Sequence, residues 1–368
     1  LHFGASSNQV GAIDVLAEAG ADIDAHGGEE WETPLHVASR LGQSEAVVAL
    51  LRHGPDVDKL DGNGFSAIHI AAKGGSAATV QTLLAAGAEF NLRGGENDST
   101  DLGLAAEGGH TGVVEALIQH GASLSAANKD GYTPVHVATF NNAVAAVHVL
   151  VGAGADVDAW GGEERETPLH VATRLGLSEM VVALLRHGPD VDRLNGDERS
   201  ALHVAAVNHG SVAIVEALLA AGAKSNLRGG KCGGTALGMA AEEGHAGIME
   251  ALIQHGASLN AADKFGRTPL HVATSENRLP MIDMLLAAGA RVDTRDGDGK
   301  TPLHVASGSR YGDRSEIITA LLRYGASISA FTANGEGPIH LAAQQGRVNA
   351  ATALFVAGKD INFRTENG

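Results

Sequence analysis

The chain has 368 residues, of which 44% are hydrophobic, and it carries 26 Lys and Arg against 43 Asp and Glu, a net charge of −17. Surfaces that bind nucleic acid or anionic membranes need dense positive patches, and no basic run occurs in this sequence. We therefore expect neither as a partner. The acidity has two interpretations, solubility alone or attraction of a basic protein partner.

The cysteine content and the hydropathy of the sequence indicate its cellular compartment. Cys232 is the only cysteine, so no disulfide can form within the chain, which fits a reducing environment. No stretch approaches 18 consecutive apolar residues, so we predict no membrane span in this segment. These observations favour an intracellular, cytoplasmic protein.

A four-residue phrase recurs along the chain. It reads Thr-Pro-Leu-His at residues 33–36, 167–170, 268–271 and 301–304, and it returns with substitutions at residues 66–69, 100–103, 133–136, 200–203, 235–238 and 337–340. Leu1-His2 is the end of one more copy. Successive copies are 33 to 36 residues apart, so the chain is built from one repeating unit.

The local chemistry of one unit predicts a pair of helices and a hairpin. Thr33 can cap a helix whose first residue is Pro34, and Leu41-Gly42 interrupts that helix. Apolar residues at helical spacing in 46–51 predict a second helix, and the Gly-rich tip at 61–64 predicts a hairpin. One such pair cannot bury its apolar face alone, whereas stacked pairs can.

This unit resembles the ankyrin repeat, which has 33 residues and a T-P-L-H-x-A signature. The resemblance covers essentially the whole chain in about eleven units, the first without its opening residues. It implies an all-α solenoid of stacked helix-turn-helix pairs, with β-hairpin fingers projecting at right angles and a concave binding strip. We expect residues 1–368 to form a single ankyrin-repeat domain.

A second, longer sequence repeat contains several of these units. The block 27–160 returns as 161–294, which indicates duplication of four units. The first unit begins mid-phrase and the sequence stops at Asn362-Phe363-Arg364, inside what would be the next hairpin. We interpret the chain as part of a longer array. We expect it to be monomeric, apart from association through its truncated ends.

The sequence offers no catalytic, metal or cofactor site. Nine of the eighteen histidines belong to the phrase, where the resemblance assigns them a structural role, and neither an HExxH motif nor a Cys–His cluster occurs. Cys232 has no activating partner by sequence. We therefore expect a non-enzyme. The resemblance also marks a position that is hydroxylated in some ankyrin proteins, although stabilisation of the hairpin is the simpler interpretation; it holds Asn91, Asn226, Asn260 and Asn362.

Ankyrin-like arrays bind partners through the fingers and the exposed residues of the first helix. Interface anchors are enriched in aromatic residues and Arg, and the residue before each phrase varies widely between units. The candidate protein-binding residues are Trp31, Arg40, Leu41, Phe65, Tyr132, Phe140, Trp160, Arg174, Leu175, Arg199, Arg267 and Lys300. An insertion at 307–315, with Arg310, Tyr311 and Arg314, is either a further site or a tolerated loop.

We expect a non-catalytic scaffold or adaptor that binds partner proteins. The alternative is the targeting or regulatory region of a larger enzyme, ubiquitin ligase or ion channel, which residues 1–368 do not distinguish from the first.

Overall fold

The structure, a computed structural model, describes residues 1–208, 211–310, 312 and 314–358. These residues form 22 α-helices with no extended sheet, as the sequence predicts. They divide into two compact units, Leu1–Asp190 and Val191–Gly368.

The first unit contains twelve helices. They are α1 (His2–Ser6), α2 (Val10–Glu18), α3 (Pro34–Arg40), α4 (Ser44–Arg52), α5 (Ala67–Lys73), α6 (Ala77–Ala85), α7 (Asp101–Glu107), α8 (Thr111–Gln119), α9 (Pro134–Phe140), α10 (Val144–Gly152), α11 (Pro168–Arg174) and α12 (Ser178–Leu185).

The described part of the second unit contains ten. They are α13 (Ala201–Val207), α14 (Val212–Ala220), α15 (Ala236–Glu243), α16 (Ala246–Gln254), α17 (Pro269–Ser275), α18 (Leu279–Ala287), α19 (Pro302–Ser307), α20 (Ser315–Arg323), α21 (Pro338–Gln344) and α22 (Val348–Gly358).

Each repeat is one inner helix with an odd number followed by one outer helix with an even number. Within each unit, every inner helix packs on the inner helix of the next repeat, and outer helices pack in the same way. The core between them consists of small aliphatic side chains such as Ala38, Val47 and Leu50, which are completely buried. Because these contacts are shared, the apolar face of one repeat is covered by its neighbours, as a solenoid requires.

The phrase begins the inner helix as predicted. Thr33 is the N-cap in an extended conformation, and Pro34 follows in the first turn. The Thr33 backbone N–H donates to His36 Nδ1 at 3.1 Å, which leaves Nε2–H as the donor on the other side of the ring. Burial lowers the pKa of His36, so the ring is neutral at pH 7.

The same imidazole ties one repeat to the next. His36 Nε2 donates to the carbonyl oxygen of Phe65, 29 residues later, at 3.0 Å. The equivalent pairs, at 2.9 to 3.1 Å, are His2 with Glu32, His69 with Leu92, His136 with Glu166, His203 with Leu227, His271 with Lys300 and His304 with Glu336. The structural role expected for the phrase histidines is confirmed at these positions.

The segment between an outer helix and the next inner helix is called a finger below. Fingers close either by a β-bridge, as between Gly27 and Glu32, or around the side-chain oxygen of an Asp, Asn or Thr. In the second form Asp61 Oδ1 accepts the backbone N–H groups of Asn63 and Phe65, both at 2.9 Å. Both forms are short hairpins, which confirms the loops expected from the Gly-rich tips.

A second ladder joins neighbouring fingers. Asp58 Oδ1 accepts the Glu89 backbone N–H at 2.8 Å, and Asn91 Oδ1 accepts that of Ser123 at 2.8 Å. Asn226 and Asn260 act in the same way. The side chain therefore stabilises the contact between fingers and not one hairpin alone. Asn362 lies outside the described residues, and hydroxylation of any of these Asn stays a prediction.

Core truncation should destabilise the stack. Leu169 is 1% exposed between repeats, so we expect Leu169→Ala to lower the free energy of unfolding by about 2–5 kcal/mol. Leu175, six residues later, is 42% exposed, and Leu175→Ala should cost less than about 1 kcal/mol. Urea denaturation followed by circular dichroism checks both, and equal losses would contradict the assignment of the core.

Candidate protein-binding surface

In four repeats of the first unit, the residue before the phrase contacts the residue eight positions later, at the end of the same inner helix. In the second repeat, Arg40 Nε and Nη2 donate to the two carboxylate oxygens of Glu32, both at 2.8 Å. The Glu32 side chain is only 10% exposed, and its hydrogen bonds with Arg40 lower the pKa of its carboxyl group. Arg40 is therefore held within its own repeat.

The other three pairs are a second Glu–Arg fork and two contacts that involve aromatic rings. Arg174 makes the same fork with Glu166, at 3.0 and 2.6 Å. Lys73 Nζ lies 5.6 Å from the centre of the Phe65 ring, a cation–π contact. The Tyr132 and Phe140 rings meet edge to face at 4.8 Å. From the sequence alone, the residue before the phrase varies widely between repeats. It changes together with the residue eight positions later, however, and this covariation is the signal that could have revealed these pairs.

Two of the predicted anchors are not exposed tips. The rings of Phe65 and Tyr132 are partly buried because they lie against the glycines of the next finger, Gly95 and Gly162, where a β-carbon would clash. Packing between fingers covers one face of each ring, and a role of these residues in binding a partner stays a prediction. Phe140 is likewise partly buried, against Tyr132.

Four other candidates are exposed. Trp31 is 63% exposed and Trp160 45% exposed, both in fingers. Leu41 and Leu175 are 45% and 42% exposed, each directly after the last residue of an inner helix. These apolar side chains stand where the fingers and inner-helix ends meet solvent.

The candidate cations of the second unit are paired or partly covered. Arg267 forms an ion pair with Asp263 at 2.8 Å, and Lys300 forms one with Asp298 at 3.0 Å. Arg199 is partly buried and lies against Gly230. The 51% exposed Phe265, which contacts Lys264 and Arg267, was missed by sequence reasoning. Its place inside a finger tip could have identified it.

Grooves lie between fingers and inner helices in both units. A groove of about 360 Å³ in the first unit is lined by residues including Glu30, Arg40, Phe65 and Lys73. A larger one in the second unit, about 690 Å³, includes Lys300 and the insertion residue Arg310.

The insertion is fastened by two arginines. Arg314 donates to the carbonyl oxygens of Thr274 and Ser275 at 2.8 and 3.0 Å, and Arg347 Nε donates to that of Ser309 at 3.0 Å. Tyr311 lies outside the described residues. Whether the insertion binds a partner stays a prediction.

The negative charge is concentrated in the first unit. Residues 1–190 contain 9 Lys and Arg against 25 Asp and Glu, a net charge of −16, whereas residues 191–368 contain 17 against 18, a net charge of −1. Within the first unit, the fingers at 19–33, 53–66, 86–100, 120–133 and 153–167 together hold 17 of the acidic residues and only 4 basic ones. The fingers therefore form a strongly negative edge.

One position of the phrase holds a buried carboxylate. Asp101 occupies the position of the usual proline, is 1% exposed, and its Oδ1 makes no hydrogen bond, 3.5 Å from His69 Nε2. Burial raises the pKa of Asp101 above its ordinary value of 3.8. The duplicated block has Ala236 here, so the fold does not require the acid.

Removing this charge should stabilise the chain at neutral pH. The pKa of Asp101 is higher in the folded chain than in the unfolded chain. The free energy of unfolding of the wild type therefore falls as pH rises from the unfolded-state pKa to the folded-state pKa. We expect Asp101→Asn to have a higher melting temperature than wild type at pH 7, and the difference to shrink towards pH 4. Exposed Asp130→Asn is the control. A lower melting temperature for Asp101→Asn at pH 7 would show that the His69 contact outweighs burial.

The Glu32–Arg40 pair should have the opposite pH dependence. Because the pKa of Glu32 is lowered in the folded chain, its ionised carboxylate stabilises the fold above about pH 4.5, and this stabilisation is lost as pH falls. We expect Arg40→Ala to cost about 1–2 kcal/mol at pH 7, since a largely buried carboxylate loses two hydrogen bonds, and less at acidic pH. The control is Arg52→Ala, because Arg52 is exposed and makes a single ion pair with Asp14 at 3.3 Å, so we expect a smaller loss. Denaturation at several pH values measures both.

Comparison with known proteins decides the family. The family model described as "Ankyrin repeats (3 copies)" matches residues 1–94, 92–160, 158–229, 223–296 and 289–365, nearly the full length. The chain belongs to the ankyrin-repeat family. Its repeats therefore constitute a protein-interaction fold.

Solved ankyrin-repeat structures superpose on part of this ankyrin-repeat chain. The human ASB11 ankyrin repeat domain is 29% identical with a TM-score of 0.53, covering 61% of this chain and 98% of that domain. The ankyrin repeat domain of Bcl-3, a member of the IkappaB family, is 30% identical with a TM-score of 0.56, covering 62% of this chain and all of that domain.

Curated relatives are longer proteins. A putative palmitoyltransferase ZDHHC13 of Danio rerio is 32% identical over 159 residues, 43% of this chain and 25% of that protein. The nuclear factor NF-kappa-B p105 subunit of Gallus gallus is 34% identical over 163 residues, 42% of this chain and 16% of that protein. The matched ankyrin-repeat region thus spans a quarter or less of these relatives.

Two further properties concern the described part of the ankyrin repeats. No group of three or more His, Cys, Asp or Glu is arranged to hold a metal ion there. Nor does any helix in it have the length and apolar character needed to cross a membrane.

Proposed function

We propose that this chain is a non-catalytic scaffold that binds partner proteins through its fingers and inner-helix ends. The observation that carries this proposal is the exposure of four large apolar side chains, Trp31 and Trp160 in fingers and Leu41 and Leu175 directly after inner helices. Apolar side chains in such positions supply the central contacts of protein interfaces. The phrase histidines, in contrast, hold neighbouring repeats together.

The partner of the first unit is basic. Its fingers hold 17 acidic residues against 4 basic ones, and Arg40 and Arg174 are already paired with Glu32 and Glu166. A surface of this kind raises the association rate of a cationic partner and makes the rate dependent on salt. The near-neutral second unit has no comparable charge preference.

The second candidate is a targeting or regulatory region within a larger protein. The length of the relatives favours it, since one of them is named as a palmitoyltransferase and this chain matches only a quarter of it. In that case the enzyme activity belongs to other domains, and the repeats still act by binding, in the cytoplasm. Protein interaction is common to both candidates.

Binding should depend on the exposed edge and not on the outer helices. We expect Trp31→Ala/Leu41→Ala/Trp160→Ala/Leu175→Ala to reduce recovery of partner proteins from cell extract at least tenfold, as loss of interface anchors does. Quantitative mass spectrometry of proteins captured on the immobilised full chain measures recovery, and 500 mM salt should reduce it further.

The matched control is Val48→Ala/Val182→Ala, which removes apolar side chains that are 45% and 40% exposed on outer helices. It should leave recovery unchanged. Equal loss with both variants, or undiminished recovery with the first, would sink the assignment of the binding edge.

A further inference from the structure

Two fingers of the first unit are near copies with the same backbone shape. Residues 27–32 read Gly-Gly-Glu-Glu-Trp-Glu and residues 161–166 read Gly-Gly-Glu-Glu-Arg-Glu. Each closes by a β-bridge between its first and last residue, and the fifth residue is left-handed in both, with φ of 50° at Trp31 and 49° at Arg165. The last Glu of each finger forms the same fork with the arginine of its inner helix.

Each finger tip combines carboxylates with an indole ring. Glu29 and Glu30 are exposed in the first finger, and Glu163 and Glu164 in the second. The first tip carries the exposed Trp31, and the exposed Trp160 lies directly before residues 161–166 of the second.

A cation already lies on the second of these rings. The Arg165 guanidinium is 4.0 Å from the centre of the Trp160 ring. Paired carboxylates beside an aromatic face attract Lys and Arg side chains by charge and by cation–π contact. Both tips are therefore suited to the same basic chemistry.

We propose that the finger tips 27–32 and 161–166 are two corresponding subsites that bind one polypeptide carrying two Lys- and Arg-rich clusters. This inference rests on the proposed function, since it specifies how the acidic edge engages a basic partner. The duplication that produced the two fingers also sets their separation, so the partner must match a fixed distance.

The distance follows from the stack. Four successive contacts, α3 with α5, α5 with α7, α7 with α9 and α9 with α11, separate the two inner helices that follow these fingers. Helices in contact are about 8–10 Å apart, which gives a separation on the order of 30–40 Å. A spacer of four residues reaches at most about 14 Å, whereas a flexible 30-residue Gly/Ser spacer has a mean extension of about 30 Å.

The two subsites differ in strength. Arg165 stands where the first finger has Trp31, so it offsets one of the negative charges of the second finger. We expect finger 27–32 to contribute more to binding than finger 161–166.

Fluorescence anisotropy with the full chain tests bivalent binding. The probes are fluorescein-labelled peptides with the cluster Lys-Arg-Leu-Lys once, or twice with a Gly/Ser spacer of 4 or 30 residues. Intramolecular binding of the second cluster has an effective concentration in the millimolar range when the spacer can span the sites. We expect the 30-residue spacer to lower Kd at least about tenfold relative to the single cluster, and the 4-residue spacer to change it by about twofold or less.

The variants are Glu29→Gln/Glu30→Gln and Glu163→Gln/Glu164→Gln, each of which should remove the gain from the second cluster. Their control is Glu115→Gln/Glu179→Gln, which changes the same charge on exposed outer-helix positions and should keep the gain.

The outcomes separate the two proposals. A gain that occurs with both spacers, or survives both finger variants, overturns bivalent binding; the basic-partner proposal stands if the single cluster still depends on the fingers. A single cluster that fails to bind, or binds equally to all variants, overturns both.

Discussion

The contact between neighbouring repeats is the interaction on which the rest of this structure depends. Each repeat contributes an inner and an outer helix too short to be stable alone, and each leaves apolar surface that only the next repeat covers. The phrase histidine adds a hydrogen bond between neighbouring repeats to this apolar packing. His36 accepts from its own N-cap and donates to the next finger, so a single ring sets both the start of a helix and the spacing of the stack.

Stacking leaves the fingers and inner-helix ends at the surface, and charge is distributed over them unevenly. In the first unit most acidic residues are in the fingers, while the arginines at the inner-helix ends are neutralised by pairs such as Glu166 with Arg174. The outward potential is therefore negative even where arginine side chains are present. The second unit has nearly balanced charge on the same fold, so the architecture does not dictate the charge.

The similar sequence blocks 27–160 and 161–294 show which residues this fold keeps and which it tolerates changing. The Glu–Arg fork is kept in both copies, at Glu32 and Glu166. In contrast, the buried Asp101 is replaced by Ala236, and Phe65, which covers a glycine of the next finger, is replaced by Arg199. The retained position is one whose side chain is paired with the arginine of its own inner helix, whereas the fold does not fix the identity of the two that change, one in an inner helix and one in a finger.

The sequence by itself determined the repeat, its helix pairs and its finger tips, because period, capping and apolar spacing are local properties. The structural role of the phrase histidines was implied by the resemblance of the unit to the ankyrin repeat. The sequence also located the exposed Trp31 and Leu41. Only the tertiary structure decided that Phe65 and Tyr132 lie against the next finger and that Arg40 is held by Glu32. Exposure and pairing of a surface side chain depend on atoms brought close by folding, which the spacing of one repeat does not encode.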